Sequence, residues 1–460
     1  MSGKRLLVLN VEVSGINKYL MGQLEKRGWR LLVVNVPFPR IIRYLALFLT
    51  FRLPLIEWKK AFQIKQDRLY KTPWCFRWRS RQCEKILKEY QGRFDLILNI
   101  SGMFAPSLKP IQEPYVTFND YTMKLALKYP PWSPPEKDIA GWLELEKRLY
   151  KGARKIFVCS ANTRRSMVRD YGIDPENIVM GGYGWSFEHD EDFSKDYDGK
   201  TILFVGYDFE RKGGFALLEA FKKVRRLIPC ARLVIIGAVK EIYRIRQDGV
   251  ELLGPVADRD YIREAFRDAS IFVMPSVCEP FGLVFLEAMG YKLPCIGANV
   301  DAMPEIIKDG ETGFLVEPDD IGGLADKICL LLSDRKKMTE MGAKAFENVK
   351  NYTWDKVGTV IDMHLEEIVR DRQGSLIAFG IERAQVPKSI RQVPKIPSSQ
   401  EHKASSQDPK FPRAKEKTWE PGNLGTWEPG NMGTREHGNL GTWARGYLDE
   451  AIKTDGETND

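Results

Sequence analysis

Two glutamates eight positions apart, Glu279 and Glu287, bracket the segment Pro280-Phe-Gly-Leu-Val-Phe-Leu286. The apolar run before them, Ile271-Phe-Val-Met274, reads as a buried strand ending at Pro275, with a helix starting near Phe281. The first N–H groups of a helix have no intrahelical acceptor, and the macrodipole adds partial positive charge there. The amides of Phe281, Gly282 and Leu283 therefore suit an anion, and Gly282 lets a ligand come close to the backbone. Glu287, about two turns along, can accept hydrogen bonds from a vicinal diol beside that anion. Amides for phosphate and a carboxylate for ribose, at the C-terminal ends of parallel strands, describe a nucleotide site. A second element, Val205-Gly206-Tyr-Asp-Phe-Glu-Arg211-Lys212-Gly-Gly214, ends a strand in glycine and sets two cations before paired glycines. That pattern suits a diphosphate clamp. Lys212 is its main cation, and Arg211 either joins it or faces solvent.

Such a site needs strands to carry it, and the chain supplies two series of them. Leu6–Asn10, a helix over Asn17–Lys26 and Arg30–Asn35 form a β-α-β opening. Phe94–Asn99, Tyr115–Phe118 and Lys155–Cys159 continue that series. The second series comprises Thr201–Val205, Arg232–Ile236, Glu251–Leu253, Ile271–Met274 and Cys295–Ile296. Helices over 215–228, 260–268, 281–290 and 321–332 fill its gaps. Two runs of alternating strand and helix predict two parallel-sheet α/β domains, with the seam in the acidic segment Glu188–Asp198.

The run Glu279-Pro-Phe-Gly-Leu with Glu287-Ala, followed by Met303-Pro-Glu-Ile-Ile307 and Asp309-Gly-Glu-Thr-Gly-Phe-Leu-Val-Glu-Pro-Asp319, resembles the group-1 (family 4) retaining glycosyltransferases. The resemblance covers roughly residues 1–369 and is stronger in the C-terminal half. It implies the GT-B arrangement: two Rossmann-like domains facing across a cleft. The expected domains are 1–187, which holds the acceptor, and 199–350, which holds the nucleotide-sugar donor. A helix over 351–370 then crosses back to the N-terminal domain. The resemblance assigns Glu279 to the donor sugar hydroxyls, Glu287 to the ribose, and the amides of Phe281, Gly282, Leu283 and Val284 to donor sugar and diphosphate. Gly206 and Lys212 match the diphosphate loop, whereas Tyr207 stands where the family usually has arginine, so Arg211 is the candidate replacement. Gly15, in Val13-Ser-Gly-Ile-Asn-Lys18, corresponds to the glycine loop near the diphosphate. Many relatives place a histidine of this domain near the reacting carbon, but the four histidines here are 189, 364, 402 and 437. Asp120, in Thr117-Phe-Asn-Asp-Tyr-Thr122, is the candidate catalytic polar group facing the cleft; the competing reading is a turn-forming aspartate. Val300-Asp-Ala-Met303 replaces a segment in which relatives often have paired glycines.

The implied activity is retaining transfer of a hexose-type sugar from a nucleotide-diphosphate sugar to a glycan, lipid-linked or small-molecule acceptor. No cofactor and no metal are expected, since the Asp-x-Asp pairs at 190/192, 196/198 and 258/260 do not follow apolar strands. A weakened nucleotide-sugar-binding protein and a GT-B epimerase are the competing classes.

Composition sets the remaining bounds. The chain has 460 residues, is 43% hydrophobic and 29% charged, and carries a net charge of +8. Residues 40–93 hold fourteen Lys/Arg against four Asp/Glu, a surplus of +10, which leaves −2 for the rest. A charge this local predicts one anionic partner surface, with no general nucleic-acid binding. The 73–90 stretch fits a helix with Arg77, Arg81, Lys85 and Lys88 outward, and Ile41–Ile56 is an apolar neighbour. Together they predict docking on an anionic membrane, against the plainer reading of a solvated basic face. Seven cysteines without paired spacing, no apolar run of spanning length and no signal-like start predict a cytoplasmic chain, peripheral on the membrane at most. From 384 to 446 only seven of 63 residues are Val, Ile, Leu or Phe. With the octapeptide repeat Thr418-Trp-Glu-Pro-Gly-Asn-Leu-Gly425, this predicts that 371–460 is a disordered tail, either a sticky interaction segment or one without a role.

Overall fold

The computed structural model describes residues 4–11, 17–51, 55–185, 194–197, 199–237 and 246–378. Gly15, His189, most of the acidic seam and the repeat-bearing tail lie outside the described residues. The N-terminal half runs β1 (Arg5–Asn10), α1 (Asn17–Lys26), β2 (Arg30–Asn35), α2 (Arg40–Thr50), α3 (Leu55–Tyr70) and α4 (Pro73–Glu89). It continues with β3 (Leu96–Ile100), β4 (Tyr115–Asn119), α5 (Met123–Ala126), α6 (Ile139–Gly152), β5 (Ile156–Val158), α7 (Ala161–Tyr171) and β6 (Ile178–Met180). Its six strands lie in the order β2-β1-β3-β4-β5-β6, every pair parallel. The run Leu6–Leu9 is wholly buried, as expected of a strand covered on both faces.

The C-terminal half runs β7 (Thr201–Val205), α8 (Gly214–Leu227), β8 (Arg232–Ile236), β9 (Val250–Gly254), α9 (Arg259–Asp268) and β10 (Ile271–Met274). After these come α10 (Leu283–Gly290), β11 (Cys295–Ala298), α11 (Met303–Ile306), β12 (Gly313–Val316), α12 (Ile321–Ser333), α13 (Arg335–Val349) and α14 (Trp354–Ala378). The strand order is β12-β11-β10-β7-β8-β9, again all parallel. The order reverses between β7 and β10, so the loops leaving these two strands open a crevice at their C-terminal ends. That is the place where open α/β sheets bind ligands.

The chain crosses between the halves twice, and the crossings touch. The Trp185 N–H donates to the Tyr352 carbonyl at 3.2 Å, and a Cβ on Gly184 would fall 2.2 Å from the Trp354 nitrogen. α14 then packs on the N-terminal sheet. The Arg27 guanidinium donates to the Asp355 carbonyl and to Thr359 Oγ1, each at 2.8 Å. Trp29 Nε1 donates to Asp362 Oδ1 at 2.7 Å, and Lys4 pairs with Glu366.

Two helices near the basic region bear on surface chemistry. α4 starts behind a Thr72 cap with Pro73 in its first turn, which favours the helix because a leading proline has no N–H to satisfy. It buries Phe76, Cys83 and Leu87 and turns Arg77, Arg81, Lys85 and Lys88 outward. The same helix also buries Arg79 completely, between the rings of Phe38 and Phe104 at 4.0 and 4.5 Å. α2 is turned the opposite way from an ordinary surface helix. Ile42 and Ala46 face inward, whereas Ile41, Tyr44, Leu45, Phe48 and Leu49 form an outward stripe in which Phe48 is 83% exposed. Among the described residues no helix is long and apolar enough to cross a membrane.

Candidate active site

The site is assembled from the loops that follow β7 and β10. β10 is buried at all four positions, and its chain turns at Pro275, where the Ser276 N–H bonds the Met274 carbonyl at 2.9 Å. α10 begins at Leu283, two residues later than the sequence pattern indicates, because Gly282 sits outside the helix at φ +89°. A side chain there would meet both that backbone strain and the Met303 methyl at 2.4 Å. Among the described residues no acceptor takes the N–H groups of residues 281–284. These are the amides that the sequence marks for an anion.

The β7 loop lies directly against this turn. The Val277 N–H donates to the Arg211 carbonyl at 2.9 Å, and a Cβ on Gly213 would stand 1.9 Å from the Pro275 carbonyl oxygen. Gly213, at φ +75°, immediately precedes α8. Gly206 follows β7 with its N–H on the Ile236 carbonyl at 2.9 Å, and the Lys212 side chain runs over it, 3.1 Å from where a Cβ would stand. The Lys212 ammonium bonds Glu279 Oε2, which also accepts from Ser276 Oγ at 3.3 Å. Burial pushes the Lys212 pKa down, and the Glu279 carboxylate opposes that shift. Arg211 does not face solvent: its side chain is 12% exposed. Its Nε donates to Asp208 Oδ2 at 3.0 Å, its Nη1 donates to the Cys278 carbonyl at 2.8 Å, and its guanidinium lies 4.7 Å from the Trp132 ring of the other half. Glu279 is thus nearly buried, with Lys212 bound and Arg211 Nη1 3.9 Å away.

Glu287 is half-buried on α10 and has no hydrogen-bond partner among the described residues. Burial raises its carboxyl pKa to about 7, with the Arg259 guanidinium pulling the other way. Asp120 follows the last residue of β4 and keeps solvent access. The walls around it still raise its carboxyl pKa by desolvation, while the backbone N–H groups of Asp120 and Tyr121 oppose that. Its carbonyl, not its carboxylate, holds the local structure, accepting from Thr163 Oγ1 at 2.8 Å and Cys159 Sγ at 3.1 Å. The structure therefore brings together Gly206, Arg211, Lys212, Glu279 and residues 281–284, with Glu287 further along α10. Asp120 belongs to the opposite half, and Gly15 lies outside the described residues. Sequence reasoning missed Asp208, Ser276, Trp132 and Asp301, which orient these groups. Only Asp301 had left a signal, as an unusual residue in a segment where relatives often have paired glycines.

Two parallel six-stranded sheets, joined at adjacent crossings and bearing this loop pair at the switch point of the second, define the GT-B fold. Residues 186–348 match the family model described as glycosyl transferases, group 1. Phosphatidyl-myo-inositol mannosyltransferase of Mycobacterium leprae is 35% identical over 173 residues, 35% of this chain and 45% of that protein. N-acetyl-alpha-D-glucosaminyl L-malate synthase of Bacillus anthracis is 32% identical over 170 residues, 35% of this chain and 44% of that protein. The chain therefore spans a little under half the length of these curated relatives. Sucrose-phosphate synthase of Thermosynechococcus elongatus shares the fold with a TM-score of 0.58 at 18% identity, over 80% of this chain and 100% of that one.

Proposed function

We propose that the protein transfers a hexose-type sugar from a nucleotide-diphosphate sugar to a lipid-linked or glycan acceptor, with retention at the anomeric carbon. One observation carries the reading: Lys212, Arg211 and the unengaged amides of residues 281–284 meet Glu279 at the strand-order reversal. In sugar transfer the charge that develops is on the departing diphosphate, so preorganised cations and amides are the main lever. Lys212 and Arg211 neutralise that charge, and the 281–284 amides donate to its oxygens. Glu279 accepts from the sugar hydroxyls and Glu287 from the ribose diol. Among the described residues no side chain stands out as a covalent nucleophile, and the reading takes a same-face route through an oxocarbenium-like state with Asp120 facing it from the acceptor half. In this reading the chain's own cations do the neutralising, and neither metal nor cofactor is assigned.

The acceptor side of the reading rests on α2 and α4. An outward stripe of Ile41, Tyr44, Leu45, Phe48 and Leu49 beside outward Arg77, Arg81, Lys85 and Lys88 suits the interface of an anionic bilayer. The chain would then work as a peripheral protein on the cytoplasmic face. A weakened binding protein is the second reading, favoured by the engagement of Lys212 with Glu279 and of Arg211 with Asp208.

Release of nucleoside diphosphate from uridine-, guanosine- and adenosine-diphosphate sugars, with and without lipid extracts, tests the transfer. Acceptor-dependent release from one donor is the expected result. Thermal stabilisation by a nucleoside diphosphate with no release across the acceptor panel would replace the proposal with the binding reading. Flotation with phosphatidylglycerol vesicles tests the docking: wild type is expected to float at 20 mM salt and to be released at 500 mM, where the screening length is about fivefold shorter. Phe48→Asp is expected to stay at the bottom in both. Equal flotation of Phe48→Asp and wild type would remove α2 from the contact.

A further inference from the structure

Asp301 follows β11 in the left-handed region, at φ +48°, a conformation that costs a non-glycine residue backbone energy and is usually left to glycine. Its side chain has a use that glycine could not serve. Oδ1 accepts from the Tyr121 hydroxyl at 2.8 Å and from Asn162 Nδ2 at 3.3 Å, both in the N-terminal half. Oδ2 accepts the Glu279 backbone N–H at 2.9 Å. A single carboxylate thus joins the loop that carries Glu279 to two residues on the far side of the cleft.

Four positions on, Glu305 makes a second crossing. Its carboxylate accepts the N–H groups of Ala161 at 2.7 Å and Asn162 at 2.9 Å, the first two residues of α7. These amides need an acceptor from outside the helix, and Ser160 Oγ serves only Thr163. A carboxylate at this end is also favoured by the dipole of α7. Asn162 is bound twice, by its backbone to Glu305 and by its side chain to Asp301. The Tyr352 hydroxyl, next to the chain crossing, donates to the Glu305 carbonyl at 2.9 Å.

We infer that Asp301 and Glu305 form a two-carboxylate latch between the halves, with Asp301 acting as a positioning residue that sets the Glu279 backbone in register with Tyr121. The latch is a property of the two halves, whatever reaction they perform. Its effect on turnover rests on the proposed sugar transfer. When the halves separate, the Glu279 N–H loses its side-chain acceptor's anchor on Tyr121 and Asn162, and the first α7 amides pass to water.

Amide hydrogen exchange on the full chain tests the latch without reference to turnover. Glu305→Gln retains one acceptor oxygen and sets an NH2 against the second amide. It is expected to speed exchange at Ala161 and Asn162 by about tenfold or more, and to speed it at Glu279 across the cleft. Asp301→Gly suits the backbone and deletes the carboxylate, and it should produce the same pattern with the folded signals of α12 unchanged. Asp301→Asn also tolerates the left-handed region, and its Oδ1 can still accept from Tyr121. It should restore protection at 161–162 but not at Glu279. Unchanged exchange at 161–162 in Glu305→Gln, or effects of Asp301→Gly confined to the C-terminal half, would overturn the latch. For positioning, Tyr121→Phe is expected to lower kcat about tenfold with donor KM within twofold. Combined with Asp301→Gly it should lose less than the product of the two single losses. Additive losses, or a loss expressed in donor KM, would overturn the positioning role.

Discussion

Replacing Glu287 by glutamine probes the site through its electrostatics. In the folded protein burial lifts this carboxyl from the ordinary 4.5 to about 7. Between those two values the folded chain holds a proton that the unfolded chain has released, so stability falls as pH rises through the window and levels off above 7. At about 1.4 kcal/mol per pH unit, the gap limits the effect to roughly 3 kcal/mol. The side chain keeps some contact with water, which reduces the expected figure to about 1–2 kcal/mol. Glutamine has no charge to desolvate. Glu287→Gln should therefore exceed wild type by about 1–2 kcal/mol at pH 8 and match it within about 0.5 kcal/mol at pH 4. Urea unfolding at pH 4, 6 and 8 reads the difference directly. Ligand binding should change in the opposite sense, because a carboxylate accepts from both ribose hydroxyls and an amide oxygen serves them less well. Stabilisation by a nucleoside diphosphate should thus weaken about tenfold in the same variant, about 1.4 kcal/mol. A stability difference that does not vary with pH, or a glutamine variant weaker than wild type at pH 8, would refute the picture of an unpartnered, desolvated acid waiting for a diol.

Lys212→Ala removes the cation on Glu279 and is expected to lower kcat/KM for the donor by about ten- to hundredfold, at ~1.4 kcal/mol per factor of ten; unaltered donor kinetics would remove Lys212 from the site. Gly213→Ala places a methyl at φ +75°, 1.9 Å from the Pro275 carbonyl, and should cost about 2 kcal/mol or more in urea unfolding. A wild-type midpoint would mean that the two loops are not locked together.

Much of this architecture is legible along the chain because parallel strands buried on both faces read as unbroken apolar runs. Leu6–Leu9, Ile271–Met274 and Thr201–Val205 announce themselves in that way. The short strands β6 and β12 do not, since three or four residues such as Ile178–Met180 carry too little pattern to separate from a loop. The site shows the same division. Glu279, Gly282 and Lys212 are readable because a helix start, a positive φ and a diphosphate each demand particular residue types at close spacing. Arg211 was legible only as a cation; that it turns inward depends on Asp208, Cys278 and Trp132, and Trp132 is 79 positions away in the other half. Asp301 depends on Tyr121 and Asn162, partners that no local pattern connects to it. Arg79 reads as one more charge of a basic helix, yet the fold places it between two rings. The α2 stripe is visible as apolar residues, but an apolar helical face is ordinarily assigned to the core, and only the packing of Ile42 and Ala46 shows which side is inside.

The placement of α14 has a consequence for how the molecule is made. The N-terminal sheet is complete in sequence at Met180, but Arg27, Trp29 and Lys4 take further partners from residues 355–366, and the Asp95 carbonyl takes one from Arg372. About 190 residues of synthesis separate the two, about 10–40 s at ~5–20 residues per second. Throughout that interval the earliest-born sheet carries an uncovered groove on the nascent chain, and the entire second half must pass from the ribosome before its lid arrives.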